Sequence, residues 1–189
     1  MDRVIDWAER GLVPDFLIRW GIRQKLDRWT RPVDVEKASL EKKSMIASLR
    51  TSPIALATEE ANAQHYELPA AFFATFLGPH RKYSSCYWPA GVDTLAAAER
   101  AMLDLTCQRA ELADGQSILE LGCGWGSLTL WMAERFPKSS ILAVSNSNSQ
   151  REYILAEAKR RGLSHVDVVT QDLNHFQANK TFDRIVSVE

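Results

Sequence analysis

The chain has 189 residues, with 23 basic against 24 acidic side chains and a hydrophobic fraction of 46%. That length supports one sizeable domain, or one and a half, with a real core, and the near-neutral balance gives no sign of a nucleic-acid or strongly acidic partner. Cys86, Cys107 and Cys123 are odd in number, widely separated and free of C-x-x-C spacing, which argues against a disulfide framework and suits a reducing cytoplasm.

The four histidines, at 65, 80, 165 and 175, show no ligand spacing with one another or with cysteine, so no metal site is expected. The longest apolar runs, residues 70–77 and 141–144, fall far short of a membrane span, and the first ten residues contain acids and no signal-type apolar core. A soluble, cytoplasmic protein is expected.

Residues 1–31 read as two helices broken around Gly11 to Pro14, and the second is locally basic. From Phe16 to Arg31, Arg19, Arg23, Lys25, Arg28 and Arg31 stand against Asp27, while Ile18, Ile22, Leu26 and Trp29 recur at helical spacing. Such a face suits anionic lipid, as in a non-catalytic membrane-binding module. The favoured expectation is packing of the apolar stripe on the main domain, with the cations as its solvated side. Residues 34–49 form another helical pattern, and Ser52 and Pro53 supply an N-cap and first position for a further helix. These residues, 1–61, make a helical N-terminal extension.

Residues 62–94 have a different texture, with Phe72-Phe73, Gly78-Pro79 and Tyr83-Ser84-Ser85-Cys86-Tyr87-Trp88-Pro89 following no clean period. Rings and hydroxyls beside Gly and Pro suit a lid or pocket wall better than a packed helix. A long helix is predicted from Asp93-Thr94 to about Leu112, with Leu95, Met102 and Leu105 towards the core.

An α/β alternation follows: strand 117–121, helix 127–136, strand 140–144, helix 148–161, strand 166–169 and strand 184–188. Ser147 and Gln150 form a capping-box pair, and Lys159, Arg160 and Arg161 precede Gly162 at the other end of the second helix. Short apolar strands alternating with helices predict a doubly wound, Rossmann-like parallel sheet with its ligand crevice at the carboxyl ends of the strands. Those ends, at Leu121-Gly122, Val144 to Asn146, Thr170 to Asp172 and Val188-Glu189, are expected to converge on one cleft. The pattern is truncated after the fourth strand, so further strands are expected beyond residue 189.

The chain is organised around Ile118 to Leu128, an apolar strand running into Gly122-Cys123-Gly124-Trp125-Gly126 and then a helix. Glycine permits a positive-φ turn at 122, and at 124 and 126 it lets backbone N–H groups approach a ligand at the helix N-terminus. A dinucleotide fingerprint would place its third glycine at 127, where Ser127 stands, and would put an acid about 20 residues on, where the chain reads Val144-Ser145-Asn146-Ser147. A nicotinamide-dependent oxidoreductase is therefore the less favoured reading. Acid-x-G-x-G-x-G, with Glu120 leading, resembles the first motif of S-adenosylmethionine (SAM) methyltransferases.

Together with Gln64-His65-Tyr66, Tyr83 to Trp88, Ser145 to Gln150 and Phe182 to Glu189, that motif resembles the cyclopropane-fatty-acid and mycolic-acid cyclopropane synthase group of SAM-dependent methyltransferases. Within the group it is most similar to the coclaurine-type N-methyltransferases. The resemblance implies that residues 95–189 are the first half of a SAM-binding domain. It also implies that Gly122, Gly124 and Gly126 lie near the methionine and ribose parts of SAM, with Glu120 anchoring the loop and the amino group. Tyr83 and Ser84 match a pair that closes over the cofactor. Ser145, Asn146 and Gln150 match the ribose positions, and Asp172 and Leu173 the adenine contacts.

Lipid-modifying members carry cysteine third in a Y-S-C word, where it belongs to a bicarbonate site; here Ser85 stands there and Cys86 follows. They also carry glycine just before M-F-E-H, where this chain has Glu189, and that word would begin at residue 190. Both departures point away from cyclopropanation of unsaturated lipid chains and towards a small-molecule amine as methyl acceptor. Glu189 is the candidate catalytic carboxylate, to take the amine's proton or hold its ammonium form.

Overall fold

A computed structural model describes residues 2–29, 34–54 and 68–188, which fall in two compact units, residues 1–52 and 53–189. The first contains α1 (Asp2–Glu9), α2 (Asp15–Trp29) and α3 (Val35–Leu49). Asp34 caps α3, its carboxylate accepting the N–H groups of Glu36 and Lys37. No side chain described in this unit is fully buried, and Ile22 and Leu26 of the basic helix are both more than half exposed. Ser52 turns back on α3, its hydroxyl donating to the Leu49 carbonyl. The further helix expected after Pro53 lies outside the described residues, as do Gln64, His65, Tyr66 and Glu189.

The second unit runs α4 (Ala70–Ala74), α5 (Leu95–Arg109), β1 (Ser117–Leu121), α6 (Ser127–Arg135), β2 (Ser140–Ser145), α7 (Asn148–Arg160), β3 (Val166–Thr170) and β4 (Arg184–Ser187). All strand pairs are parallel, in the order β3-β2-β1-β4. Ile118 lies opposite Ile141 and Arg184, and Leu121 opposite Val144 and Ser187. Successive strand residues face opposite ways. By register and alternation Ile118, Ile141, Ala143, Val168 and Val186 share one face, where Ile118, Ile141 and Val186 meet Leu103 and Cys107 of α5 and Leu128, Trp131 and Met132 of α6, and Ala143 and Val168 meet Leu130 of α6 and Ile154 and Ala158 of α7. The result is the expected Rossmann-like arrangement of a parallel sheet with flanking helices.

One helix is rotated from its predicted facing. Thr94 caps α5 as its hydroxyl accepts the Ala97 N–H, but the buried side chains are Ala98, Glu99, Leu103 and Cys107, and Leu95 is exposed. The buried seam mixes Ala98, Glu99 and Cys107 with Leu103, a set that an apolar count passes over.

No helix among the described residues is long and apolar enough to cross a membrane. Among those residues no three His, Cys, Asp or Glu side chains stand together in a way that could hold a metal ion.

Candidate functional site

Strand β1 ends at Leu121, and the chain turns sharply through Gly122 (φ 76°) and Gly124 (φ 52°) to Gly126 (φ 75°) before entering α6. The amides of Gly122 and Cys123 both donate to the Val144 carbonyl, which ties the loop to β2. Gly126 occupies the N-cap of α6 and has no side chain to cap it. The first turn of α6 therefore presents backbone donors and the positive end of its dipole to the space above the sheet.

That space is a cleft of about 720 Å³ including its open mouth, lined by the glycine loop, the start of α6, Gln150, Val188, residues 81–84, and Leu103 and Thr106 of α5. Tyr83, Ser84, Glu120, Gly122, Gly124 and Gln150, all singled out from the sequence, share this lining. Gly126, Ser145, Asn146, Asp172 and Leu173 are not part of it.

The three glycines have different reasons to be glycine. A Cβ on Gly124 would meet nothing within 4 Å, whereas one on Gly126 would lie 2.6 Å from Cγ1 of Ile154 in α7. Gly126 is thus a close-packing position against α7. Gly124 keeps the cleft open.

Glu120 shares the helix-covered face of β1 with Ile118, so its carboxylate lies beneath α6 and is almost fully buried. Thr129 donates its hydroxyl to Oε2 at 2.5 Å. Burial pushes the carboxyl up to about 7, against the opposing pull of the Thr129 hydrogen bond.

Gln150 differs from its predicted part in a capping box. Ser147 does cap α7, its hydroxyl accepting the Gln150 N–H, but the Gln150 carbonyl oxygen accepts the Ser145 hydroxyl at 2.7 Å instead of reaching the Ser147 amide. The Ser145 oxygen takes that amide at 3.1 Å. Ser145 thus stands behind Gln150 and fixes the amide on the cleft wall. Asp172 closes a turn, its carboxylate accepting the Asn174 N–H at 2.8 Å.

Sequence reasoning passed over several cleft residues. Trp125 and Ser127 line this cleft and also a smaller hollow beside His80, Tyr153 and Arg161, and their indole N–H and hydroxyl are buried with no hydrogen-bond partner among the described residues. Buried polar groups without partners are costly, and two of them at one uncapped helix start make a donor set awaiting an acceptor. Arg81 and Lys82 also line the cleft, and Lys82 is buried. Their only sequence signal was adjacency to Tyr83-Ser84.

A family model described as mycolic acid cyclopropane synthetase matches residues 55–189. The (S)-coclaurine N-methyltransferase of Thalictrum flavum subsp. glaucum is 41% identical over 184 residues, 96% of this chain and 51% of its own length. The cyclopropane-fatty-acyl-phospholipid synthase of Escherichia coli K12 is 36% identical over 125 residues, 66% of this chain and 31% of its own. A crystal structure of coclaurine N-methyltransferase bound to N-methylheliamine and SAH superposes with a TM-score of 0.88 at 40% identity, covering 99% of this chain and 55% of that one. Mycolic acid cyclopropane synthase CmaA1, complexed with SAH and CTAB, superposes with 0.63 at 26% identity, covering 71% and 46%. The chain spans about half the length of the first curated relatives it matches. With the family model covering the whole α/β unit apart from its first two residues, this chain belongs to the mycolic acid cyclopropane synthetase family.

Proposed function

We propose that the protein is a SAM-dependent methyltransferase acting on the nitrogen of a small-molecule amine. The observation that carries the cofactor assignment is the cleft at the carboxyl end of β1, where a buried acceptor, an uncapped helix start and two unpartnered donors surround open space at Gly124. Those groups fit the cofactor, which has an amino group for the Glu120 carboxylate and a carboxylate for the backbone and side-chain donors around Trp125 and Ser127. Gln150, held by Ser145, offers an amide to the ribose side. Tyr83 and Ser84 cover the opening. Asp172, Leu173 and Asn146 are assigned to the adenosine end on the family resemblance.

When bound, SAM supplies an electrophilic methyl group on a sulfonium. The chain's part is to hold that methyl in line with an uncharged amine and to exclude water. The amine nitrogen forms the new C–N bond, the C–S bond breaks, and the proton displaced from a primary or secondary amine passes to a base. Glu189, outside the described residues, is assigned that role. The amine reading is supported by the N-methyltransferases of Thalictrum flavum and Papaver somniferum among the relatives, together with Ser85 in place of the lipid enzymes' cysteine. Acyl-chain methylation is the alternative acceptor chemistry, supported by the cyclopropane synthase relative.

Titration calorimetry on the full-length protein is expected to show binding of S-adenosylhomocysteine (SAH) and none of NAD, with Gly124→Val abolishing it as the side chain enters the cleft. Tight NAD binding, or SAH affinity indifferent to Gly124→Val, would overturn the assignment. Transfer of labelled methyl to an amine panel, absent from unsaturated phospholipid vesicles and lost in Glu189→Gln, is the result expected for the acceptor.

A further inference from the structure

Residues 76–94, which bring Arg81, Lys82, Tyr83 and Ser84 to the cleft, form no helix or strand. No ladder of backbone hydrogen bonds therefore sets where this strap runs. What holds it just before Tyr83 is a side chain of α5. Glu99 is completely buried, and its two carboxylate oxygens accept separate backbone amides, Oε2 from His80 at 3.1 Å and Oε1 from Lys82 at 3.0 Å.

The geometry is specific to a carboxylate. Amides two residues apart converge because the intervening Arg81 adopts φ 52°, a left-handed conformation uncommon for a residue with a side chain. Such a concavity of N–H groups suits an anion, which the protein here provides from within. Arg81 is meanwhile directed away from the carboxylate, donating to the Ala70 carbonyl at 2.8 Å and lying 4.4 Å over the Tyr153 ring. Gly78 has no room for a Cβ, because the Glu99 carboxylate occupies that position. Beyond Tyr83 the strap is tied to the same turn of α5, as the Tyr87 amide donates to the Ala98 carbonyl at 3.2 Å.

We propose that Glu99 is a positioning residue for cofactor binding, its carboxylate fastening the amides of His80 and Lys82 so that Tyr83 and Ser84 are held over the cleft. This deepens, and rests on, the reading of that cleft as a SAM site. Burying a carboxylate is costly, and an apolar residue would fill the same seam on α5 at lower cost. A glutamine at this position accepts one amide and turns its own NH₂ towards the other, so Glu99→Gln unfastens one side of the clamp with no change in shape.

The test is calorimetric binding of SAH to the full-length protein, with hydrogen exchange measured residue by residue. Glu99→Gln is expected to weaken SAH by at least about tenfold and to speed exchange at the His80 or Lys82 amide while α7 stays protected. In turnover it is expected to raise KM for SAM much more than it lowers kcat. Ile141→Ala, a buried core position away from the cleft lining, is the stability control and is expected to keep SAH affinity within about twofold despite a lower Tm. If Glu99→Gln folds poorly, Gly78→Ala displaces the carboxylate from the other side and carries the same expectation. SAH affinity retained within about twofold by these variants, or lost equally in Ile141→Ala, overturns the proposal. Absence of SAH binding in the wild type instead overturns the methyltransferase reading, and the proposal with it.

Discussion

Glu120 is the residue at which stability and binding are set against each other. Its folded carboxyl titrates at about 7, against an ordinary value of 4.5, because the strand delivers it beneath α6 where the charged form is desolvated. Between those values the folded protein binds a proton that the unfolded chain has released, so stability falls as pH rises from about 4.5 to about 7 and stays lower above it. Glu120→Gln keeps the acceptor for Thr129 and removes the charge. It is expected to stabilise the protein by about 2 kcal/mol at pH 8, to flatten this part of the pH profile, and to weaken SAH binding. Thermal unfolding at pH 5 and pH 8 reads the first two effects; a Tm difference between those pH values equal to that of the wild type would remove the burial argument.

At the scale of elements, the contact between α6 and α7 depends on Gly126. Its φ of 75° and the 2.6 Å approach of a Cβ to Ile154 Cγ1 act together, and Ile154 is fully buried with nowhere to retreat. Gly126→Ala is expected to destabilise by about 2–4 kcal/mol in urea unfolding, with part of that loss recovered by adding Ile154→Val. Gly124→Ala, at an equally left-handed position but with open space before it, is expected to cost about 1 kcal/mol. Equal losses at the two positions would show that backbone strain, not helix packing, governs the loop. The G-x-G-x-G spacing announced a ligand loop but did not divide these roles, since the division depends on which residue of α7 arrives opposite each glycine.

At the scale of the whole molecule the two compact units differ in what holds them. Residues 53–189 contain the buried clusters on the sheet, whereas α1, α2 and α3 present no fully buried side chain among their described residues. Helices of 8, 15 and 15 residues without a shared core are marginal in water. A peptide of residues 2–52 is accordingly expected to show less than about half its structural helix content by circular dichroism at 25 °C. Full helicity with a cooperative melt would show that the unit has a core beyond the described residues.

The sequence by itself determined the parallel α/β order, the glycine turn, the cap at Ser147 and the family, because each is written in neighbouring residues through hydrophobic period, turn chemistry and capping. It also brought Tyr83, Ser84, Glu120, Gly122, Gly124 and Gln150 to notice, and these share one cleft lining. Only the tertiary structure decided that Glu99 faces inward to two amides 17 and 19 residues away, that Gly126 serves Ile154, and that Ser145 holds Gln150. The meaning of those residues is set by side chains or amides from other segments. A local pattern specifies an element's type, but the facing of a helix is fixed only when its neighbours close on it and a buried polar group finds its partner.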